Sequence, residues 1–421
     1  MNYIFILIII SAIMYYKLIF SMRDGKISAI LDDNIEKFNK PSYAYIQDLD
    51  GLKVEVPIYN EMKIASWEKN TLYDILVKEY GKLISISNIN TSGSIENLRK
   101  LKNGEVDFAL CQEDVAYDAF LSRNDFSNTS FPNIRFVVGL VNEYSILITL
   151  RTLPIKTFAD LGNGYEKINR NYIIGLPDKE SGSFYICRKL LEMAHIRTYD
   201  FETENNNGAN KVYYVNHSIN KLVNLFINGK IDAIFLISSI KNPYIINLCK
   251  HKLVKFIPVN LPSIDILKSY IYPVYYRFFN PEVFLMNSIS ISELSTISTI
   301  STRCVLLSRK DVNPIHVELL VKTIFQNNED IKETLNNYLS PPIQHPSRSY
   351  IIQESLIPDN MVFVNKEFPM HRGAKKYYTE IGYITEDSNK TCINRAGNSL
   401  CNVFKSNFDP IKYYWKYLNL V

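Results

Sequence analysis

From about Met62 the chain alternates between apolar positions at helical spacing and short β-branched runs. Residues 71–80 place Leu72, Ile75 and Leu76 on one face, with Gly81 as a stop signal. Residues 94–103 set Ile95, Leu98 and Leu101 at the same spacing, and 106–111 then read as a buried strand. The runs 134–141 and 145–150 are too short for helices and predict two strands. A second set follows: strand 172–176, helix 184–194, strand 212–215, helix 219–227 and strand 231–237. Strands spaced by helices predict parallel sheets covered on both faces. Past Pro262 the pattern loosens. The Ser-, Ile- and Thr-rich stretch 288–302 reads as a connection into strand 304–308. Residues 313–339 form the longest helical pattern, with Leu319, Leu320, Ile324 and Phe325 facing a core, and Pro341-Pro342 ends it.

One segment repeats. Residues 98–109 read LRKLKNGEVDFA and 223–234 read VNLFINGKIDAI. Each is a helix ending in Asn-Gly, then a strand that opens on Val or Ile and Asp. Asn103-Gly104 and Asn228-Gly229 offer the left-handed residue that closes a helix, and Asp107 and Asp232 fall at matching strand starts. Two similar α/β lobes are expected.

The two ends carry other information. Residues 3–16 are an uncharged apolar run, interrupted by Lys17 and extended to Phe20. Fourteen residues suit a signal-peptide core better than a bilayer span of about 20, so export is expected. Retention of residues 3–20 as a tether, with Lys17 snorkelling, is the alternative. Cys392 and Cys401 sit in a polar tail where an oxidising compartment would let them close a short loop. The other four cysteines lie in apolar contexts and read as small core residues. A net charge of only +4 gives no electrostatic case for nucleic acid.

Catalytic and metal chemistry has no pattern to rest on. No two of the six histidines share a helical metal-pair spacing, and CxxC, HExxH, GxSxG, Walker and GxGxxG patterns do not occur. Neither an enzyme nor a cofactor or metal is expected. Glu68 and Asp114 are the acid/base candidates if one existed. Two polar turns stand out instead: Thr91-Ser92-Gly93-Ser94 and Glu180-Ser181-Gly182-Ser183, each leading into a helix. A helix start offers unpaired N–H groups and a partial positive charge, so a facing pair could grip a carboxylate. As ordinary Ser/Thr caps they would do no more than start helices. Glu96 reads as a cap partner.

Residues 91–120, TSGSIENLRKLKNGEVDFALCQEDVAYDAF, resemble the solute receptors of TAXI type that serve TRAP transporters, whose segment runs close to TGGSVENLRLL…GEVDLALVQSDVAYDA. Residues 155–161 with 172–196, the stretch 303–333, and FPMHRGAKKYYTEIG at 368–382 are similar to further family segments in the same order. The resemblance implies a type II periplasmic binding-protein fold, two α/β lobes with a ligand cleft between them. The implied division is a signal peptide or tether over 1–22, an irregular extension over 23–61, lobe I over 62–150, lobe II over 151–262, a return to lobe I over 263–384 and a tail over 385–421.

The implied activity is capture of a small organic anion, an amino or keto acid such as glutamate or 2-oxoglutarate, by lobe closure. Delivery would be to an ion-driven TRAP permease, from a monomer in the periplasm. Position by position, the implied ligand-binding residues are Thr71, Tyr73, Thr91, Ser92, Gly93, Ser94, Gln112, Asp114, Tyr117, Ser181, Gly182 and Ser183. The chain departs from the family where a glycine-rich turn would stand: residues 66–73 read SWEKNTLY, with Trp67 and Glu68 in place of glycine. That departure keeps an alternative open, a tethered interaction protein on a degenerate receptor whose cleft is filled by Trp67.

Overall fold

The computed structural model describes residues 61–384 except 70, 204–210, 240–241, 252–253, 262–274, 280–296, 339–355, 357–360 and 363–367. Ahead of these it describes strands β1 (Ser42–Gln47) and β2 (Lys53–Ile58), which pair antiparallel. The apolar amino-terminal run and the Cys392–Cys401 loop lie outside the described residues.

Strands β3 (Met62–Ala65), β4 (Ile86–Ile89) and β5 (Phe108–Gln112) are parallel, in the order β4-β3-β5. Helices α1 (Leu72–Gly81) and α2 (Ser94–Lys102) make the crossovers, and α3 (Glu113–Phe120) leaves the end of β5. After β6 (Ile134–Leu150) and the short helix α4 (Gly164–Ile168), the chain builds a second parallel set. It comprises β7 (Tyr172–Leu176), β8 (Thr198–Asp200), β9 (Val212–Asn216) and β10 (Ala233–Ser238), ordered β10-β7-β9-β8, with helices α5 (Gly182–Met193) and α6 (Ile219–Ile227). Helix α7 (Pro243–His251) and strand β11 (Val254–Ile257) follow, then β12 (Tyr275–Phe279) and β13 (Ile297–Arg309). Helices α8 (Pro314–Gln326), α9 (Asn328–Tyr338) and α10 (Arg372–Glu380) complete the described chain.

Two long antiparallel strands join the parallel sets. The first part of β6 pairs with β13, and its second part pairs with β10 and β11. The handover falls at Tyr144, whose register partners are Ser301 on one side and Ser238 on the other. β13 in turn lies on β5 over Cys304–Ser308. The result is one mixed sheet of eleven strands divided into two α/β lobes by two crossing strands.

Three sequence readings change. Residues 134–141 and 145–150 are not two strands but one of 17 residues, because Asn142, Glu143 and Tyr144 continue the ladder against Ser301–Arg303. Residues 297–302, read as connection, belong to β13 for the same reason. The single helix over 313–339 is two helices, broken at Asn327, whose side chain turns back to donate to the Thr323 carbonyl (2.8 Å).

The internal repeat is structural. Gly104 and Gly229 both take positive φ, +74° and +66°. Asp107 accepts from the Lys63 amide (3.0 Å) and donates its own to the Lys63 carbonyl; Asp232 does the same with Ile173 (2.9 Å). Each Asp thereby clamps the last strand of its parallel set to the first.

The core has three parts. One lies under α1, α8, α9 and α10, and one under α6 and α7. The third joins the lobes: Leu98, Val115 and Tyr117 from the first pack in one cluster with Phe184, Tyr185 and Cys187 from the second.

Candidate functional site

The two glycine-bearing turns face each other and touch. Gly93 takes φ +132°, a conformation that L side chains rarely adopt, and a Cβ there would lie 3.0 Å from Ser181 Cα. A Cβ on Gly182 would stand 2.5 Å from Gln112 Oε1 and 2.7 Å from Ser94 Oγ. The N–H groups of Ile95 and Glu96 at the start of α2 both donate to the Glu180 carbonyl, at 3.0 and 3.3 Å. The α2 amides expected to grip an anion are thus taken by the backbone of the opposite lobe. Trp67 is buried at this seam, beside Gly93 and edge-on to Tyr73 (6.3 Å between ring centres).

Side chains reinforce the contact between lobes. Arg99 pairs with Glu180. Asp118 on α3 accepts from Tyr185 (2.7 Å) and Lys189 (2.6 Å) on α5. The Ile219 amide at the start of α6 donates to the Glu68 carboxylate, and burial raises the Glu68 pKa. The departure from a glycine turn therefore supplies a cap that Ser218 does not provide with its own side chain.

At the crossing strands lies a buried polar cluster. Glu143, 3% exposed, accepts from Tyr73 Oη (2.8 Å) and from the Gln112 side chain. Asp114, fully buried, accepts from Thr302 Oγ1 (2.9 Å). Arg303 holds Glu113 in a two-point pair at 2.9 and 3.0 Å. Desolvation pushes the Asp114 carboxyl up to about 7, outweighing its bond to Thr302, and pushes Glu143 up to about 8, outweighing its bonds to Tyr73 and Gln112. Glu113 is raised as well, since burial outweighs the pull of Arg303. Asp114 Oδ2, Gln112 Oε1 and Trp67 Nε1 are buried with no hydrogen-bond partner among the described residues.

The residues implied by the resemblance divide accordingly. Tyr73, Gln112 and Asp114 meet in the cluster. Gly93, Ser94, Ser181 and Gly182 form the seam, where Ser94 Oγ accepts from the Gln112 amide (3.1 Å) and Ser181 Oγ caps α5 through Phe184 N (3.0 Å). Ser183 Oγ accepts from the Ile237 amide (2.6 Å), tying α5 to β10. Thr71 donates to the Glu68 carbonyl, and Thr91 to the Ser66 carbonyl, each at 2.6 Å. The Ser92 amide donates to Glu96 Oε2 (2.8 Å), the local bond expected of Glu96. Tyr117 is buried in the shared core, its ring 5.7 Å from the Arg123 guanidinium. Glu143, Thr302, Arg303 and Glu113 were not among the implied residues. The signal for Glu143 was a lone acid between two apolar β-branched runs; Thr302 carried none because it ended a stretch read as connection, and Arg303 stood just ahead of the strand read over 304–308.

Two α/β lobes divided by a pair of crossing strands, with buried polar groups at the crossing, define the two-lobed periplasmic binding-protein class of fold. The chain belongs to the NMT1-like family, whose model matches residues 70–382. No curated protein matches it in sequence. Similar solved structures include XAC2383 from Xanthomonas citri bound to chloride ion, 13% identical, covering 76% of this chain and 99% of its own, with a TM-score of 0.40. The periplasmic aliphatic sulphonate binding protein SsuA from Escherichia coli is 14% identical over 76% of this chain and 87% of its own, with a TM-score of 0.39. A nutrient binding protein from Burkholderia cenocepacia bound to methionine is 13% identical over 66% and 96%, with a TM-score of 0.36.

Proposed function

We propose that this protein is an exported solute-binding receptor that encloses a small ligand between its lobes and passes it to a membrane permease. On the resemblance to TAXI-type receptors, the permease is an ion-driven TRAP system and the compartment is the periplasm. The observation that carries this reading is the cluster at the crossing strands. Gln112 and Asp114 present buried acceptor atoms without partners, and such atoms are rare in a folded interior unless something else satisfies them. Crossing strands are also where a two-lobed molecule can bend, so a ligand held there reads the relative position of both lobes.

Tyr73, Gln112, Asp114 and Glu143 would contact the solute, with Ser94 and Ser181–Ser183 closing over it. Thr71, Thr91, Ser92 and Tyr117 would support that surface. Small-angle scattering and thermal unfolding of the full chain, with and without amino acids, keto acids and amines, test the proposal. A solute that raises the melting temperature and compacts the particle is expected; folded protein indifferent to all of them refutes it.

A second reading has one observation in its favour: Trp67 and the Gly93–Ser181 contact fill the seam between the helix starts. On that reading the chain is a tethered interaction protein with fixed lobes. It predicts no response to any small solute and a particle size that never changes.

A further inference from the structure

We propose that the cluster at the crossing strands takes a small organic cation, an amine or guanidine, instead of the anion that the resemblance implies; this rests on the receptor reading above. The charge count comes first. Four carboxyls converge on the lobe junction: Glu113, Asp114 and Asp118 from α3, and Glu143 from β6. Among the described residues, two cations meet them. Arg303 is engaged by Glu113 through two hydrogen bonds, and Lys189 by Asp118 at 2.6 Å. Asp114 and Glu143 are left buried with no ion pair among the described residues.

The second observation is independent of charge. Asp114 Oδ2 and Gln112 Oε1 are buried, unpartnered acceptors, and Gln112 Oε1 points at the seam with Gly182. An occupant that satisfies them must bring hydrogen-bond donors. An ammonium or guanidinium does so and also neutralises the carboxyls. Tyr73, which contacts Glu143, and Trp67, edge-on to Tyr73, are aromatic neighbours that suit a cation as well. Trp67 Nε1 is an unpartnered donor among the described residues and asks for an acceptor on the same ligand. A carboxylate would instead approach two acids, at a junction where the Ile95 and Glu96 amides already donate to the Glu180 carbonyl.

The groups around the pair fix how binding depends on pH. Asp114 faces Asp118 and Lys189; Glu143 faces Asp114, Tyr73 and Cys304, and Arg303 stands against Glu113 on the same side. Burial favours the protonated acids near neutrality, with Asp114 at about 7 and Glu143 at about 8. A cation favours the ionised acids, so its binding releases protons.

Calorimetry on the full chain tests this with putrescine, agmatine, glutamate and 2-oxoglutarate, at pH 6 and pH 8.5, in buffers of differing ionisation enthalpy. Putrescine or agmatine is expected to bind with proton release and at least tenfold more tightly at pH 8.5. Asp114→Asn and Glu143→Gln should each weaken that binding tenfold or more while circular dichroism shows the fold retained. Should one variant fail to fold, the other variant and the proton release measured on the parent chain still decide. Binding of glutamate or 2-oxoglutarate with no response to either amine overturns the cation assignment and leaves the receptor reading standing. Amine binding that neither substitution weakens overturns the assignment too. Folded protein that binds no solute of either charge removes both.

Discussion

At the residue scale, buried titratable groups set two opposite slopes of stability against pH. Asp114 and Glu143 are raised in the folded chain from 3.8 and 4.5 to about 7 and about 8. The folded state binds more protons than the unfolded one between about pH 4 and 8, so their contribution is full at the acid end and is lost as pH rises. Glu143→Gln removes an ionisation that costs on the order of a few kcal/mol at pH 8. The variant without added solute should melt higher than the parent at pH 8 and close to it at pH 5. His371 acts the other way. It caps α10 by accepting from the Gly373 amide (3.1 Å), and burial lowers its pKa from 6.5 to about 4. The unfolded state then binds the extra proton, so stability falls as pH drops from about 6.5 to 4. Replacing His371 with Asn, which also caps, should keep most of the stability at pH 7 and flatten that acid-side loss in a series of thermal melts.

At the element scale, the packing of α10 on α8 shows how little room separates the two helices. A Cβ on Gly373 would lie 2.1 Å from the Pro314 carbonyl oxygen, a backbone atom that cannot swing aside. Alanine would add about 1 kcal/mol of helix propensity, but overpacking against backbone costs about 1–3 kcal/mol or more. Gly373→Ala should therefore lower stability in urea unfolding. Much of this level was legible in advance: helix spacing placed α1, α2, α5 and α6, and the repeated Asn-Gly and Asp marked matching lobes. The polar middle of β6 was not. Asn142 and Glu143 look like a turn until their partners on β13 are known, and those lie some 160 residues away along the chain. The same long-range pairing hid Thr302 and Arg303, so the resemblance could point to Tyr73, Gln112 and Asp114, while their partners in the cluster become visible only in the sheet.

At the scale of the whole molecule, the question is what holds the lobes together and what releases them. The bond from Ile95 N to the Glu180 carbonyl crosses the junction, whereas Asn97 N donates within its own turn to Gly93. Both amides are near the start of α2, so local fraying treats them alike; rotation of one lobe against the other breaks only the first. Amide exchange should accordingly be faster at Ile95 and Glu96 than at Asn97. Asp118 is a buried side-chain tie across the same junction, its Oδ2 accepting from both Tyr185 and Lys189 and the residue 1% exposed. Asp118→Asn keeps the shape and removes the charge that Lys189 needs. It should speed exchange at Ile95 and Glu96 several-fold while leaving Asn97 unchanged. A bound solute that bridges the crossing strands should slow the same two amides. Equal acceleration at all three positions would mean that the variant frays α2, and the lobes would then not be moving as rigid bodies about β6 and β13.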